Sequence, residues 1–214
     1  VVWLLEVFGP GFWIIDTFAL HDIRSSLFHP HQFVTYMFLH EDRNPLGQIV
    51  FAHIFFNMFA LWMFGSTLEN FWGSKRFLNF YLICGIGAVI INMTITYFYN
   101  TTLLHQYGSG VDPESGIPYR DIVLNVPLLG ASGAIFGVLV AFGYTFPNTE
   151  MFIIPIPFPI KAKWLVIGYV LIELFAGVRD TPGDDVAHYA HLGGGLVGFL
   201  VVYIWNKTNR RNFY

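Results

Sequence analysis

Residues 49–68 read Ile-Val-Phe-Ala-His-Ile-Phe-Phe-Asn-Met-Phe-Ala-Leu-Trp-Met-Phe-Gly-Ser-Thr-Leu, twenty residues without a charge. About 20 mostly apolar residues are what a helix needs to cross the hydrocarbon of a bilayer. Working outward, four more runs have this character: Phe77 to Tyr99, about Val126 to Phe146, about Ile160 to Val178, and Val186 to Trp205. Hydrophobic residues make up 55% of the 214 and charged residues only 12%. A soluble domain carries about 25% charged residues, so this chain lacks the polar surface of a water-soluble globule. The 19% aromatic content suits membrane interfaces. These features predict an all-α, polytopic membrane helix bundle, embedded in a lipid bilayer.

Upstream, Val1 to Phe18 is apolar but holds Glu6, Pro10 and Asp16. It reads either as the tail of a truncated first span, which is favoured, or as a loop dipping into the interface. One domain over residues 1–214 is expected, with no internal repeat. The net charge of −3 gives no footprint for nucleic acid. Cys84 is the single cysteine, so an intrachain disulfide is excluded, and its apolar run marks it as a packing residue.

Charge placement orients the spans. Lys75, Arg76, Lys161, Lys163, Lys207, Arg210 and Arg211 fall on one face by parity, seven of the 11 Lys and Arg. Basic loops stay in the cytoplasm. The loops around 19–48, 100–125 and 179–186 therefore face outward, and the C-terminus is cytoplasmic. The spans beginning near Ile49, Val126 and Val186 all run inward, so their N-terminal ends share one face of the membrane.

Each of those three ends carries polar residues, which are costly inside a membrane. His53 and Asn57 are spaced i, i+4 on one helical face. Ser132 lies in Leu-Gly-Ala-Ser-Gly-Ala-Ile-Phe-Gly, residues 129–137. His191 lies in Ala-His-Leu-Gly-Gly-Gly-Leu-Val-Gly, residues 190–198. With Asn125 as N-cap and Pro127 in the first turn, Ser132 is expected about five residues into its helix, and all three sites roughly 6–8 Å deep. From His191, Gly194, Gly195 and Gly198 form a small-residue face, and Gly133 and Gly137 flank Ser132. Such faces let helix backbones approach closely. The expected chemistry is nucleophilic: His191 as the base that takes the Ser132 proton, with His53, Asn57 and the Ser132 backbone N–H as oxyanion donors. No acid is obviously placed as a third member, so a dyad is expected.

In chain order these motifs resemble the rhomboid family of intramembrane serine proteases. The matches are His-x-x-x-Asn at His53 and Asn57, Gly-x-Ser-Gly at Gly130, Ser132 and Gly133, and Ala-His-x-Gly-Gly with His191 and Gly194. Glu69 and Gly73 with Lys75-Arg76-Phe77 resemble the family's Glu-x-x-x-Gly turn. The likeness covers roughly residues 30–206. It implies a six-span core, Ser132 as nucleophile, His191 as base, and His53 and Asn57 at the oxyanion hole. It implies transmembrane proteins as substrates, cut near their outer ends. No cofactor and no metal are expected. Many relatives carry a tyrosine four residues after the serine; here that place is Phe136, which stacks but cannot hydrogen-bond. The Trp-Arg pair of the first outer loop is absent. Family style suggests a bacterial plasma membrane. An inactive relative that binds membrane proteins, or a channel or transporter, are the competing functions; oligomeric state is not legible.

Other polar residues have blander readings. His188 shares a face with His191 and reads as a supporting donor or a residue at the cavity rim. His29, His31 and His40 match no zinc spacing and read as solvated or capping. Glu173, mid-span, reads as a protonated or helix-paired structural acid, ahead of a proton relay. Met151 to Pro159, with Pro155, Pro157 and Pro159, reads as an interfacial cytoplasmic segment. The short span after it and the loop 180–185 are expected to form a lateral gate and lid.

Overall fold

The computed structural model describes residues 2–9, 11–43, 47–152, 158–179 and 187–208. The described elements run α1 (Val2–Phe8), α2 (Gly11–Phe18), α3 (Gln32–Thr35) with a 3-10 turn at Tyr36–Phe38, and α4 (Ala52–Ala60). A π turn at Leu61–Gly65 carries α4 into α5 (Ser66–Trp72). Then come α6 (Ser74–Tyr107), α7 (Tyr119–Leu124), α8 (Ser132–Thr145), β1 (Glu150–Met151), β2 (Ile160–Lys161), α9 (Ala162–Arg179) and α10 (His188–Thr208). The chain is helical in class, and each of the five apolar runs contains a helix.

Boundaries follow local chemistry. The first spanning run ends at Gly73, whose φ of 85° suits glycine and breaks the helix before α6. α6 runs 34 residues, well past the predicted Tyr99, because nothing in its sequence stops it before Gly108 at φ 61°. At about 1.5 Å per residue it is roughly 50 Å long, more than the hydrocarbon requires. α6 and α10 are long and apolar enough to cross a membrane. α9, at 18 residues, is shorter. Val2–Phe18 is helical but split into helices of 7 and 8 residues, each too short to span alone.

The third run departs from expectation. Asn125 does not cap a helix that contains Ser132: it ends α7, and residues 126–131 are extended or irregular. Leu128 instead exchanges backbone hydrogen bonds with Leu20 at 2.9 and 2.8 Å. α8 begins at Ser132 itself. The depth estimate that counted five helical residues before Ser132 is therefore overturned. The small antiparallel pair of β1 and β2 was also not anticipated. The proline-rich stretch between them lies largely at 153–157, and the predicted lid at 180–185, outside the described residues.

Two compact units are present, Val1–Phe56 with Ile90–Ala131, and Asn57–Val89 with Ser132–Tyr214. In the first, Ile14, Ala19 and Leu39 form a small core joined by Val2, Ile15, Phe18 and Leu129. Gln32 is fully buried and bonds the Leu27 carbonyl at 2.8 Å. Arg24 pairs with Asp22 at 2.7 Å, reaches Thr101 at 2.8 Å and lies over the Tyr97 ring, while Asn100 donates to Asp22 at 3.0 Å. Burial alone would raise the Asp22 carboxyl, but the hydrogen bonds from Arg24 and Asn100 outweigh it and hold it below the usual range. His40 is buried beside the His53 ring, and desolvation lowers its pKa to about 4.

The second unit is built on backbone contact between α8 and α10. A Cβ on Gly194 would land on the Gly133 carbonyl oxygen, and one on Gly198 would lie 2.7 Å from that of Gly137. On the other side of α8, a Cβ on Gly137 would meet Cys84 Sγ of α6 at 2.6 Å, and one on Gly133 the Ala88 methyl at 2.8 Å. Cys84 is buried, in keeping with a packing role. At the far end Trp72, Phe80 and Trp205 pack edge to face, with Arg76 over Trp205 at 4.1 Å. α9 contacts α8 where Val166 meets Gly143. Its other faces expose Trp164, Ile172, Phe175 and Val178, apolar side chains suited to lipid.

Candidate active site

The N-terminus of α8 presents Ser132, and the first turn of α10 presents His191. Glycines at 133 and 194 bring the two backbones together, and His191 Nε2 lies 2.7 Å from Ser132 Oγ. That is hydrogen-bonding distance. Both side chains are half-buried, dry enough to strengthen electrostatics yet open to water. Phe136, one turn below Ser132, stacks on the His191 ring at 5.7 Å with an interplanar angle of 5°. The ring therefore has a flat apolar wall on one face where a tyrosine would have offered the same wall.

Starting α8 at Ser132 has a chemical consequence. The first backbone N–H groups of a helix have no intrahelical acceptor, and the helix dipole is positive there. A negative oxygen beside Ser132 would face such donors. Just ahead of the serine, Gly130 has φ 118°, a conformation that L side chains rarely adopt, and its N–H bonds the Tyr36 carbonyl at 2.9 Å. This turn aims the chain into α8.

His53 and Asn57 sit one turn apart on α4. Asn57 is buried. His53 Nδ1 accepts the Glu41 N–H at 3.1 Å, which leaves the ring proton on Nε2, the tautomer in which that nitrogen donates.

Glu173 was not anticipated at this site. Its Oε2 lies 2.7 Å from His188 Nδ1 and 3.0 Å from His191 Nδ1. The first contact is a hydrogen bond; the second is a close polar contact that does not form one. The available signal was a lone carboxylate mid-span, which demands a partner. The 18-residue gap between Glu173 and His191 hid which partner it was. His188 is thus a partner of Glu173. Tyr189 ties the same turn of α10 to the Gly177 carbonyl of α9 at 2.7 Å.

Ligand atoms of Glu173, His188 and His191 all lie within 4.8 Å of one another. At 2.7 Å, however, Glu173 and His188 are at hydrogen-bond distance. Two ligands on a tetrahedral zinc stand about 3.3 Å apart, given metal–ligand bonds of about 2.0 Å. Elsewhere, His31 bonds the Thr17 carbonyl at 2.8 Å and stacks on His29, whereas His40 packs on His53. Those three histidines form no common ligand set.

Comparison with known proteins completes the picture. The model of the rhomboid domain matches residues 28–208. The chain is 31% identical over 156 residues to Rhomboid protein 1, mitochondrial, of Saccharomyces cerevisiae, covering 72% of this chain and 38% of that protein. It is 32% identical over 148 residues to the Rhomboid protease GluP of Bacillus subtilis, covering 69% and 22%. Against the human Presenilin-associated rhomboid-like protein, mitochondrial, identity is 31% over 156 residues, covering 70% and 33%. The chain thus spans about a fifth to two fifths of the length of these relatives. This chain belongs to the rhomboid family, and it is an integral membrane protein of helical fold. A bacterial plasma membrane gains no support from these matches, since mitochondrial proteins stand among them.

Proposed function

We propose that this chain is an intramembrane serine endopeptidase that cuts transmembrane segments of other membrane proteins near the outer face. The observation that carries the reading is the 2.7 Å approach of His191 Nε2 to Ser132 Oγ at the head of α8. Membership of a family that includes a protein named as a protease supports it.

The chemistry runs through two half-reactions. Ser132 Oγ attacks the scissile carbonyl carbon while His191 Nε2 takes the hydroxyl proton. The carbonyl oxygen becomes an oxyanion, held by the Ser132 N–H with the Asn57 amide and His53 Nε2–H. Collapse breaks the C–N bond, and His191 returns the proton to the leaving amine. Water then attacks the acyl-serine, activated by the same imidazole, and regenerates Ser132. Phe136 restricts the imidazole to its plane throughout. The exposed apolar faces of α9 and its length of 18 residues favour this helix as the lateral gate.

The test is cleavage of a reporter transmembrane substrate in liposomes, alongside fluorophosphonate labelling. The wild type is expected to cut and to label at Ser132. Ser132→Ala and His191→Ala are expected to lose about 10³-fold or more in rate. Cutting that persists without Ser132 sinks the mechanism. Folded protein that neither cuts nor labels, across several substrates, moves the non-proteolytic binding role to first place.

A further inference from the structure

We infer that Glu173 is a positioning residue for His191: it takes the hydrogen of Nδ1, so that Nε2 faces Ser132 as a free base. This rests on the reading of Ser132 and His191 as nucleophile and base. An imidazole can accept a proton at Nε2 only if its own hydrogen sits on Nδ1. Glu173 Oε2 lies 3.0 Å from Nδ1, short of a hydrogen bond in the resting geometry but placed to be the acceptor that favours that tautomer. When Nε2 takes the serine proton the ring becomes a cation, and the same carboxylate stabilises it.

His188 completes the arrangement. Its Nδ1 bonds the same Oε2 at 2.7 Å, so the carboxylate oxygen is pinned between two rings. Glu173 is itself buried, at 7% exposure, and reaches this place from α9 while both histidines come from α10. A buried carboxylate needs such partners. His191 Nδ1 makes no hydrogen bond in the resting protein, which fits a contact that tightens as the ring gains charge. Among the described residues, Ser132 from α8 and Glu173 from α9 face His191, and His188 from its own helix shares the Glu173 oxygen. α6 brings Ala88 and Cys84 to the adjoining glycines, a methyl and a buried thiol.

The experiment compares wild type with Glu173→Gln, Glu173→Asp, Glu173→Ala and His188→Phe. Cleavage is measured in liposomes, and the tautomer of the His191 imidazole is read by 15N NMR in micelles. Glutamine keeps the shape and an acceptor oxygen but removes the charge. E173Q is expected to lower kcat by about 10–100-fold with KM little changed, since only the charged transition state loses its partner. E173D is expected to recover part of the rate, and E173A none. E173A also offers no acceptor to Nδ1, so its neutral His191 ring is expected to move toward the Nε2–H tautomer. H188F should lower the rate less than E173Q.

A packing role alone would lower thermal stability and leave the tautomer as in the wild type. A wild-type rate in folded E173Q, or an unchanged tautomer in folded E173A, overturns the proposal. Protein that never cuts still answers through the tautomer, so failure of the protease reading is told apart from failure of this one. Inhibition by added zinc that disappears in both E173Q and H188F would assign the cluster to a metal instead, and would also overturn it.

Discussion

At the scale of single residues, the site depends on which atoms face a developing charge. Asn57 contributes no base and no nucleophile, so its proposed part is confined to the oxyanion. Asn57→Ala is expected to lower kcat by about 10²–10³-fold, as loss of one preorganised donor does elsewhere, while fluorophosphonate labelling survives at a reduced rate. An unchanged kcat in a folded variant would remove Asn57 from the oxyanion hole. Phe136 shows what one residue can share between two jobs. It walls His191 on α8 and lies 6.1 Å from Tyr169 of α9. The ring of a tyrosine would fill the same place; the hydroxyl it lacks is not what holds the imidazole flat. Glu173 was readable as an ionisable group in need of a partner, but the partner was not. Sequence spacing identifies neighbours within one helix, and Glu173 meets its histidines across two.

At the scale of elements, glycine decides where helices touch. α8 and α10 approach until their carbonyl oxygens occupy the space that side chains would take at Gly194 and Gly198. Gly198→Val therefore forces the seam apart about two turns below His191. Overpacking of this kind costs about 1–3 kcal/mol, here added to a widened Ser132–His191 gap. A lower melting temperature in detergent with slower labelling of Ser132 is expected; a variant that melts and labels as the wild type would show that the seam tolerates separation. The periodic small residues around His191 made this contact legible in advance. The start of α8 was not. Val126 and Pro127 are apolar and helix-compatible at a first turn, yet the backbone there pairs with Leu20, and the helix waits for Ser132. Long-range backbone pairing overrode a local signal.

α9 belongs to the same scale. Among the described residues its ties within the unit include Val166 on Gly143, Tyr169 near Phe136, Glu173 on His188 and His191, and Gly177 with Tyr189. Its remaining exposed apolar surface is suited to lipid. Cross-linking α9 to the α4–α5 helix is expected to block cleavage of membrane substrates, with reductant restoring it. Undiminished cleavage by the linked protein would sink the gate.

For the whole molecule, the asymmetry of charge predicts its orientation. Cys84 is buried, so an introduced cysteine stands alone as a surface probe. Glu114→Cys lies in the exposed loop after α6 and is expected to react with a membrane-impermeant maleimide from the outer side of sealed vesicles of native orientation. Lys75→Cys, at the start of α6, should react only after permeabilisation. The reverse pattern would invert the topology and place the proposed site on the other face of the membrane.

What the sequence by itself determined is whatever depends on composition and short-range spacing. Long uncharged runs force helices because a bilayer satisfies no backbone hydrogen bonds. Glycine spacing marks the helix faces that approach, and polar residues at the heads of three inward runs mark the candidate site. Tertiary structure alone decided three further things: that α8 starts at Ser132, that Phe136 lies parallel to the His191 ring, and that Glu173 bridges His188 and His191. Each is set by contact between segments far apart in the chain, where distance and angle are fixed by packing and leave no local periodicity to read.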